Sequence, residues 1–342
     1  MGVILAILSN RDGNLSSIQR HMKNHYALLL QGLQLDGYHR QVVSRSHLPI
    51  VLSKVSWQVF NHLIFANFGV KLNKKQRKWF AIDGKEMRGS IKKGETRGEV
   101  VVSAVEHETQ HIQSQNYYAG NKESEKESAR NLLKDNDLLG EKVTLDALHC
   151  NPQTLELIAE KGVYIVGLKG NQKKLKESVN EFITLSKPID RKETFEKQSG
   201  RVETRRYEVY EIEELEKATR WEKSQIKTAI RVRRERVEAE TGKISVEESL
   251  YISNESKNVG EICEAIRKHW QVEVSNNMRD VTLAEDQLCA KETTVTRVMA
   301  GVRALVLGLL KLTKCRNKKA QLDDFADDFG YLIYWLKSIQ FL

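Results

Sequence analysis

The chain has 342 residues, 40% of them hydrophobic and 30% charged, enough apolar material for a packed core and too much for a disordered chain. Only three Pro and 20 Gly exclude collagen-like and Pro-rich classes. The net charge of +9 is concentrated at one end: residues 1–80 carry 11 Lys and Arg against Asp12 and Asp36, and the remainder is balanced. A basic leading module before a neutral body points to a polyanionic partner, most often nucleic acid; a merely soluble basic surface is the alternative.

Four dispersed cysteines without a CxxC pair argue against a disulfide framework or a structural zinc site. The opening apolar run, residues 3–8, is too short and lacks a basic leader, so a signal peptide is not expected. No run approaches 18 apolar residues, so no membrane span is expected.

Residues 1–75 read as helices, over 16–30 and 53–68, on apolar positions such as Ile18, Met22, Val59 and Leu63. The stretch 71–78 reads as a basic linker. At Trp79 the period changes. Trp79-Phe80-Ala81-Ile82 is a short apolar run ending in Asp83 and Gly84, and 99–105 and 111–118 read as further strands, the last ended by Gly120. A helix follows over 123–139. Then comes a strand over 142–148 with Asp146 inside it, a helix over 155–161, and a strand over 163–168 closed by Lys169-Gly170-Asn171-Gln172. The order β-β-β-α-β-α-β describes a mixed sheet covered by helices. Residues 173–250 interrupt it with strands over 201–210, 228–237 and 249–252. Helices then span 260–274, with Ile262, Ile266 and Trp270 on one core-facing stripe, and 293–315. The apolar end from Tyr331 reads as a packing helix.

Three acids carry the chemistry of interest. Asp83 and Asp146 sit in or at the end of runs apolar enough to be buried, where an unpaired carboxylate is costly. Glu273 lies three residues after Trp270, on the same stripe. Each alone could be a cap or an ion-pair partner. Together they would concentrate three negative charges that two divalent cations relieve, and carboxylates are the ligands that Mg²⁺ or Mn²⁺ prefers. Two such ions, about 4 Å apart, can activate an attacking oxygen and stabilise the leaving oxygen of a phosphodiester.

Five blocks carry a family resemblance. Ile82-Asp83-Gly84-Lys85-Glu86-Met87-Arg88-Gly89-Ser90 resembles the DGKxxRGS block of the H-repeat-associated (ISAs-type) insertion-sequence transposases. Thr144-Leu145-Asp146-Ala147, Leu168-Lys169-Gly170-Asn171-Gln172, Gly200-Arg201-Val202-Glu203-Thr204-Arg205 and Ile266-Arg267-Lys268-His269-Trp270-Gln271-Val272-Glu273 resemble four further blocks in family order. The resemblance extends over about residues 3 to 315. It implies a DDE transposase with a ribonuclease-H-like fold, whose metal-binding triad is Asp83, Asp146 and Glu273 with two Mg²⁺ or Mn²⁺ ions. It implies hydrolysis at element ends and strand transfer by the freed 3′-OH, with double-stranded DNA as partner, in a bacterial cytoplasm; a homo-oligomer on DNA stays open. The expected division is a helical DNA-binding region over 1–78, a catalytic domain over 79–172 and 253–315, a β-rich insertion over 173–252 and a helical tail over 316–342. A catalytically inactive DNA-binding relic or regulator of the same fold is the alternative.

Secondary DNA contacts are expected from Lys85, Arg88, Lys169, Asn171 and Gln172 at strand ends, where open α/β sheets gather ligands. Arg201 and Arg205 could track a backbone or form cross-strand ion pairs. Glu125 falls where the family carries an acid before the crossover helix, and reads more simply as a solvated helical charge. His149-Cys150 reads as structural and Trp270 as core. The basic run from Lys311 to Lys319 reads as solvated. After Glu273 the family's N-x-L-HW-x-LDV is replaced by Val274-Ser275-Asn276-Asn277-Met278-Arg279-Asp280-Val281, which would set Asn277 and Asp280 on the face of Glu273 if the helix continues, with Asn277 a further DNA contact able to hydrogen-bond a phosphate.

Overall fold

The computed structural model describes all residues except 10–12, 36–40, 70, 73–74, 120–121, 199, 213–218, 256–257 and 291. Part of the basic stretch 71–78, and Gly120 at the expected end of the third strand, thus lie outside the described residues.

Five helices lead: α1 (Gly2–Leu8), α2 (Leu15–Asn24), α3 (Tyr26–Gly32), α4 (His47–Ser53) and α5 (Trp57–Phe68). Side chains of Asn14 and Ser56 accept from Ser17 N and Val59 N, capping α2 and α5. The two long helices read from periodicity are each broken, at His25 and over residues 54–56. The chain then runs β1 (Trp79–Glu86), β2 (Glu99–Glu106), β3 (Ile112–Ala119), α6 (Lys122–Asp135), β4 (Lys142–Leu145), α7 (Pro152–Ala159) and β5 (Val163–Leu168). Next come α8 (Lys173–Leu185), β6 (Asp190–Gln198), β7 (Arg201–Glu211), β8 (Thr228–Glu238) and β9 (Ile244–Ser253). The helices α9 (Val259–Lys268), α10 (Trp270–Asn277), α11 (Thr293–Leu312), α12 (Lys318–Asp327) and α13 (Phe329–Ser338) finish it.

All nine of these strands form one sheet in the order β3-β2-β1-β4-β5-β9-β8-β7-β6. The β1–β4 and β4–β5 pairs are parallel and the rest antiparallel. This mixed sheet flanked by helices is consistent with a ribonuclease-H-like fold. Strands β2 and β5 are buried along their whole length, which is why they read as continuous apolar runs. The 173–252 segment is not a separate sheet: β9 pairs with β5 and carries the ladder outward. Its edge strand β6, Asp-Arg-Lys-Glu-Thr-Phe-Glu-Lys-Gln, had no apolar signature to read.

On one face of the sheet, Phe80, Ile82, Val143 and Leu145 pack with Leu132 and Leu133 of α6 and Leu155 of α7. On the other, Ala81 and Val105 join a core built from α1, α5, α11, α12 and α13. Residues Ile4–Leu8 of α1 are all buried there, so the N-terminal helices share their core with the C-terminal ones. Adjacent positions on β1 therefore face opposite layers, Ala81 and Asp83 one way and Ile82 and Gly84 the other.

Candidate active site

Strand β1 pairs with β4 in parallel, and the last register pair is Ile82 with Leu145. The next residue on each chain is an acid. Asp83 and Asp146 thus stand side by side where the β1–β4 pairing stops: β4 ends at Leu145, whereas β1 continues to Glu86 paired with β2 alone, which opens the sheet at the position where α/β sheets collect ligands. Asp146 lies one residue beyond β4 rather than inside a strand running to 148. The backbone turns there into a single 3₁₀ turn, and Asp146 Oδ1 accepts from Leu148 N at 3.0 Å. Gly167 on β5 keeps this turn close: a Cβ there would lie 3.3 Å from Ala147 N.

Glu273 comes from α10. The helical stretch expected over 260–274 is two helices that meet at His269. His269 Nδ1 lies 2.9 Å from Thr144 Oγ1, which also meets His107 Nε2 at 3.1 Å, and this tie holds the first turn of α10 against the strand that leads to Asp146. Burial pushes the His269 and His107 imidazoles down, to about 4 and about 3, so both are neutral hydrogen-bonding groups at ordinary pH. The break at His269 also turns Trp270 outward. It is 54% exposed, not a core residue, because the single stripe read from periodicity does not run through the junction.

The carboxylates feel one another. Burial pushes Asp83 from 3.8 up to about 7, with further contributions from Asp146, Glu125 and Glu273. The Asn276 side-chain amide donates to Asp83 Oδ2 at 3.3 Å. Burial also raises Glu273, opposed by Lys169 and assisted by Asp146. Asp146, Lys169, His269 and Glu273 line one cleft of about 500 Å³ on this side of the sheet.

Of two further residues near the acids, Glu125 departs from the sequence reading and His149 agrees with it. Glu125 is not a solvated helical charge: its side chain is 15% exposed and accepts from Tyr118 Oη at 2.7 Å. His149 is fully buried with Nε2 between Glu125 and Asp146. Glu125 packs against Gly84, 41 residues earlier, and Tyr118, seven residues earlier. The family position of Glu125 was the one available signal.

The secondary candidates divide. Lys169 is exposed beside Glu273 in the cleft. Asn171 and Gln172 donate to Ala147 O and Cys150 O at 2.6 and 2.7 Å, so they fasten the loop after Asp146. Lys85 turns away from the acids: it is buried and pairs with Asp280 at 2.7 Å, Glu285 at 3.2 Å and Asp286 at 3.3 Å. Arg88 is exposed, and its backbone N–H donates to Asp286. Arg201 is exposed, whereas Arg205 is held by Glu203 and Glu196. Both line a groove with Arg234, Arg236, Arg267 and Trp270. Asn277 is exposed at the end of α10, and its neighbour Asn276 is the residue that reaches Asp83. A π turn over Met278–Thr282 replaces the continued helix, so Asp280 meets Lys85 rather than sharing the face of Glu273. Met278 packs into the core. Lys311, expected to be solvated, is largely buried and donates to Gln110 O, and burial pushes it down to about 7.

Hard divalent cations suit the chemistry of this donor set, oxygen ligands carrying more negative charge than nearby cations offset. As the side chains stand, no three His, Cys, Asp or Glu among the described residues are close enough together to hold one ion.

A mixed sheet with two acids where its parallel β1–β4 pairing stops and a third acid on a late helix is an arrangement suited to metal-dependent chemistry in an α/β fold. The particular family follows from comparison with known proteins. The family described as "Transposase DDE domain" matches residues 74–309. The chain is 29% identical over 249 residues to "Putative transposase YncI" of Escherichia coli O157:H7, covering 70% of this chain and 63% of that protein. It is 28% identical over 238 residues to "H repeat-associated putative transposase YhhI" of Escherichia coli strain K12, covering 67% and 63%. The chain belongs to the H-repeat-associated DDE transposases. Its match spans 63% of the length of these relatives. No helix among the described residues is long and apolar enough to cross a membrane.

Proposed function

We propose that this protein cuts and joins DNA at the ends of a mobile element, with Asp83, Asp146 and Glu273 holding two divalent cations, Mg²⁺ or Mn²⁺. The observation that carries the reading is the parallel β1–β4 register, which sets Asp83 beside Asp146 where that pairing stops. When bound, such ions supply Lewis acidity for in-line phosphodiester displacement, first by water and then by the freed 3′-OH. The chain's own residues do the positioning. Asn276 orients Asp83, the His269–Thr144 contact fixes the helix of Glu273, and Asn171 with Gln172 hold the loop that carries Asp146.

Double-stranded DNA is the proposed substrate, and its path is proposed along the β7–β8 extension. The groove there is lined by five arginines against Glu196 and Glu203, a net excess of positive charge beside the catalytic cleft. Arginine suits phosphate recognition. Trp270 lines this groove and also a neighbouring pocket that holds His269 and Glu273, where a base could stack on it. In this reading the catalytic domain is 79–172 with 253–315, the segment 173–252 guides DNA, and the basic first 78 residues add phosphate contacts. Two element ends would call for two copies on DNA, and the setting would be a bacterial cytoplasm. The intact acids favour the enzyme over a DNA-binding relic.

The test is a nicking assay on supercoiled DNA carrying the element ends, run beside a mobility-shift assay. Asp83→Asn and Asp146→Asn should lose cleavage and keep binding. Parallel loss of both would reject a purely catalytic role for these acids.

A further inference from the structure

We propose that the edge strand β6 is a docking surface for a second copy of this chain: two β6 edges pair antiparallel about a two-fold axis at Phe195 and join the two sheets. The inference goes beyond the proposed chemistry and does not depend on the metal site.

Three observations carry it. First, β6 ends the nine-strand order and pairs with β7 alone. Its outer edge has no strand partner among the described residues, and such an edge is a template for another strand. Second, the two faces of β6 differ. Thr194 and Glu196 stand opposite Arg205 and Glu203 and face the arginine groove, where Arg267 donates to Glu196 at 2.9 Å. Glu193, Phe195 and Lys197 point to the other face. Phe195 is 68% exposed there, and the cross-strand rows that start at Phe195 and Lys197 reach Val246 and Ile244, exposed as well. An aromatic ring on an open edge, on a face with further exposed apolar side chains, suits a protein contact. Third, the charges select a register. Charges commonly guard an edge against pairing. With Phe195 opposite Phe195 of the second copy, however, Glu193 lies opposite Lys197 twice and Thr194 opposite Glu196, so no like charges meet over residues 193–197. Glu193 pairs with Arg206 at 2.7 Å while remaining exposed, so its carboxylate can accept from Lys197 as well.

Neighbouring registers are worse. Both copies keep their faces aligned only when the pairing slips by two residues. A slip one way sets Arg191 against Lys197, and a slip the other way sets Glu196 against itself. The two-fold axis stands perpendicular to the sheet, so both arginine grooves lie on one side of the joined sheet. The contact is isologous and closes at two copies rather than growing into a filament. A single strand pair is a small interface, so the dimer is a weak one.

The test is sedimentation equilibrium of the full chain without DNA, from about 1 to about 100 μM. Wild type should pass from monomer to dimer over this range. Lys197→Glu and Glu193→Lys each set like charges against each other at two places and should raise the dissociation constant about tenfold. The two exchanges combined restore opposite charges and should return it to within about threefold of wild type. Phe195→Cys should form a covalent dimer under mild oxidation, beyond what wild type forms through its own cysteines, because directly opposed residues stand about 5 Å apart. Melting temperatures should be nearly unchanged, since Glu193, Phe195 and Lys197 are exposed. A wild type that stays monomeric at about 100 μM, a dimer that both single exchanges leave intact, or a combined variant as weak as the single ones would overturn the β6 contact. So would a Phe195→Cys variant that cross-links no more than wild type.

Discussion

Replacing Asp83 by Asn should stabilise the metal-free protein, although it removes a residue assigned to catalysis. Asp83 is half-buried and faces Asp146, Glu125 and Glu273, and its pKa is raised from 3.8 to about 7. A carboxyl that is harder to ionise in the folded chain stabilises the fold below pH 3.8. That stability is lost progressively as pH rises to about 7. The rise corresponds to a ceiling of about 4 kcal/mol at pH 8. Asp83 is partly exposed and water screens it, so about 2 kcal/mol is a sounder expectation. Asn does not titrate, keeps a similar shape, and can still accept from Asn276. For a chain of 342 residues, 2 kcal/mol corresponds to about 3 °C in melting temperature. Melting curves in EDTA should show Asp83→Asn about 3 °C above wild type at pH 8 and nearly equal to it at pH 4. Adding Mg²⁺ at pH 8 should raise wild type more than the variant. A variant that melts below wild type at pH 8, or by the same offset at both pH values, would refute the claim that the acids repel one another.

Lys85→Met should cost about 3 kcal/mol in denaturant unfolding, because Asp280, Glu285 and Asp286 would lose the buried ammonium that ties β1 to the chain after Glu273. Trp270→Ala should leave melting nearly unchanged, since the ring is exposed, and should weaken DNA binding by about 1–3 kcal/mol in a filter-binding titration. The triple change Val274→Asn, Asn277→His and Met278→Trp, which restores the family's residues, should lower stability by about 1–3 kcal/mol without raising nicking, because Met278 packs into the core. Arg20→Gln, Lys23→Gln and Arg45→Gln together should flatten the salt dependence of DNA affinity if the N-terminal helices contact phosphates. They test this better than deletion, which would strip α1 from the core.

The sheet was legible because its central strands are buried on both faces. Apolar runs at 79–82, 99–105 and 163–168 mark the strands and the Lys169-Gly170 pair marks the end of β5, and the β-β-β-α-β-α-β order followed; β1 runs through Gly84 to Glu86, past the end of its apolar run. Edge strand β6 was missed because neither of its faces is core. Helix breaks at His25 and His269 were missed because apolar periodicity continues across them, and the second break misplaced Trp270. Asp83 and Asp146 could be singled out as acids in apolar runs together with the family's motif spacing, whereas Glu273 rests on the motif alone: it is exposed on α10, and the stripe that it was read to share with Trp270 breaks at His269. Lys85 could not, because its partners lie about 200 residues away, at 280–286. Glu125 was undervalued for a similar reason: a helical glutamate carries no mark in sequence that a glycine and a tyrosine will bury it.

The most direct test is to locate Mn²⁺ by anomalous scattering in crystals of the wild-type protein. Mn²⁺ should lie where the β1–β4 pairing stops, touching both Asp83 and Asp146, with Glu273 drawn in from α10. Mn²⁺ elsewhere, or bound without contact to Asp83 and Asp146, would contradict the proposed metal site.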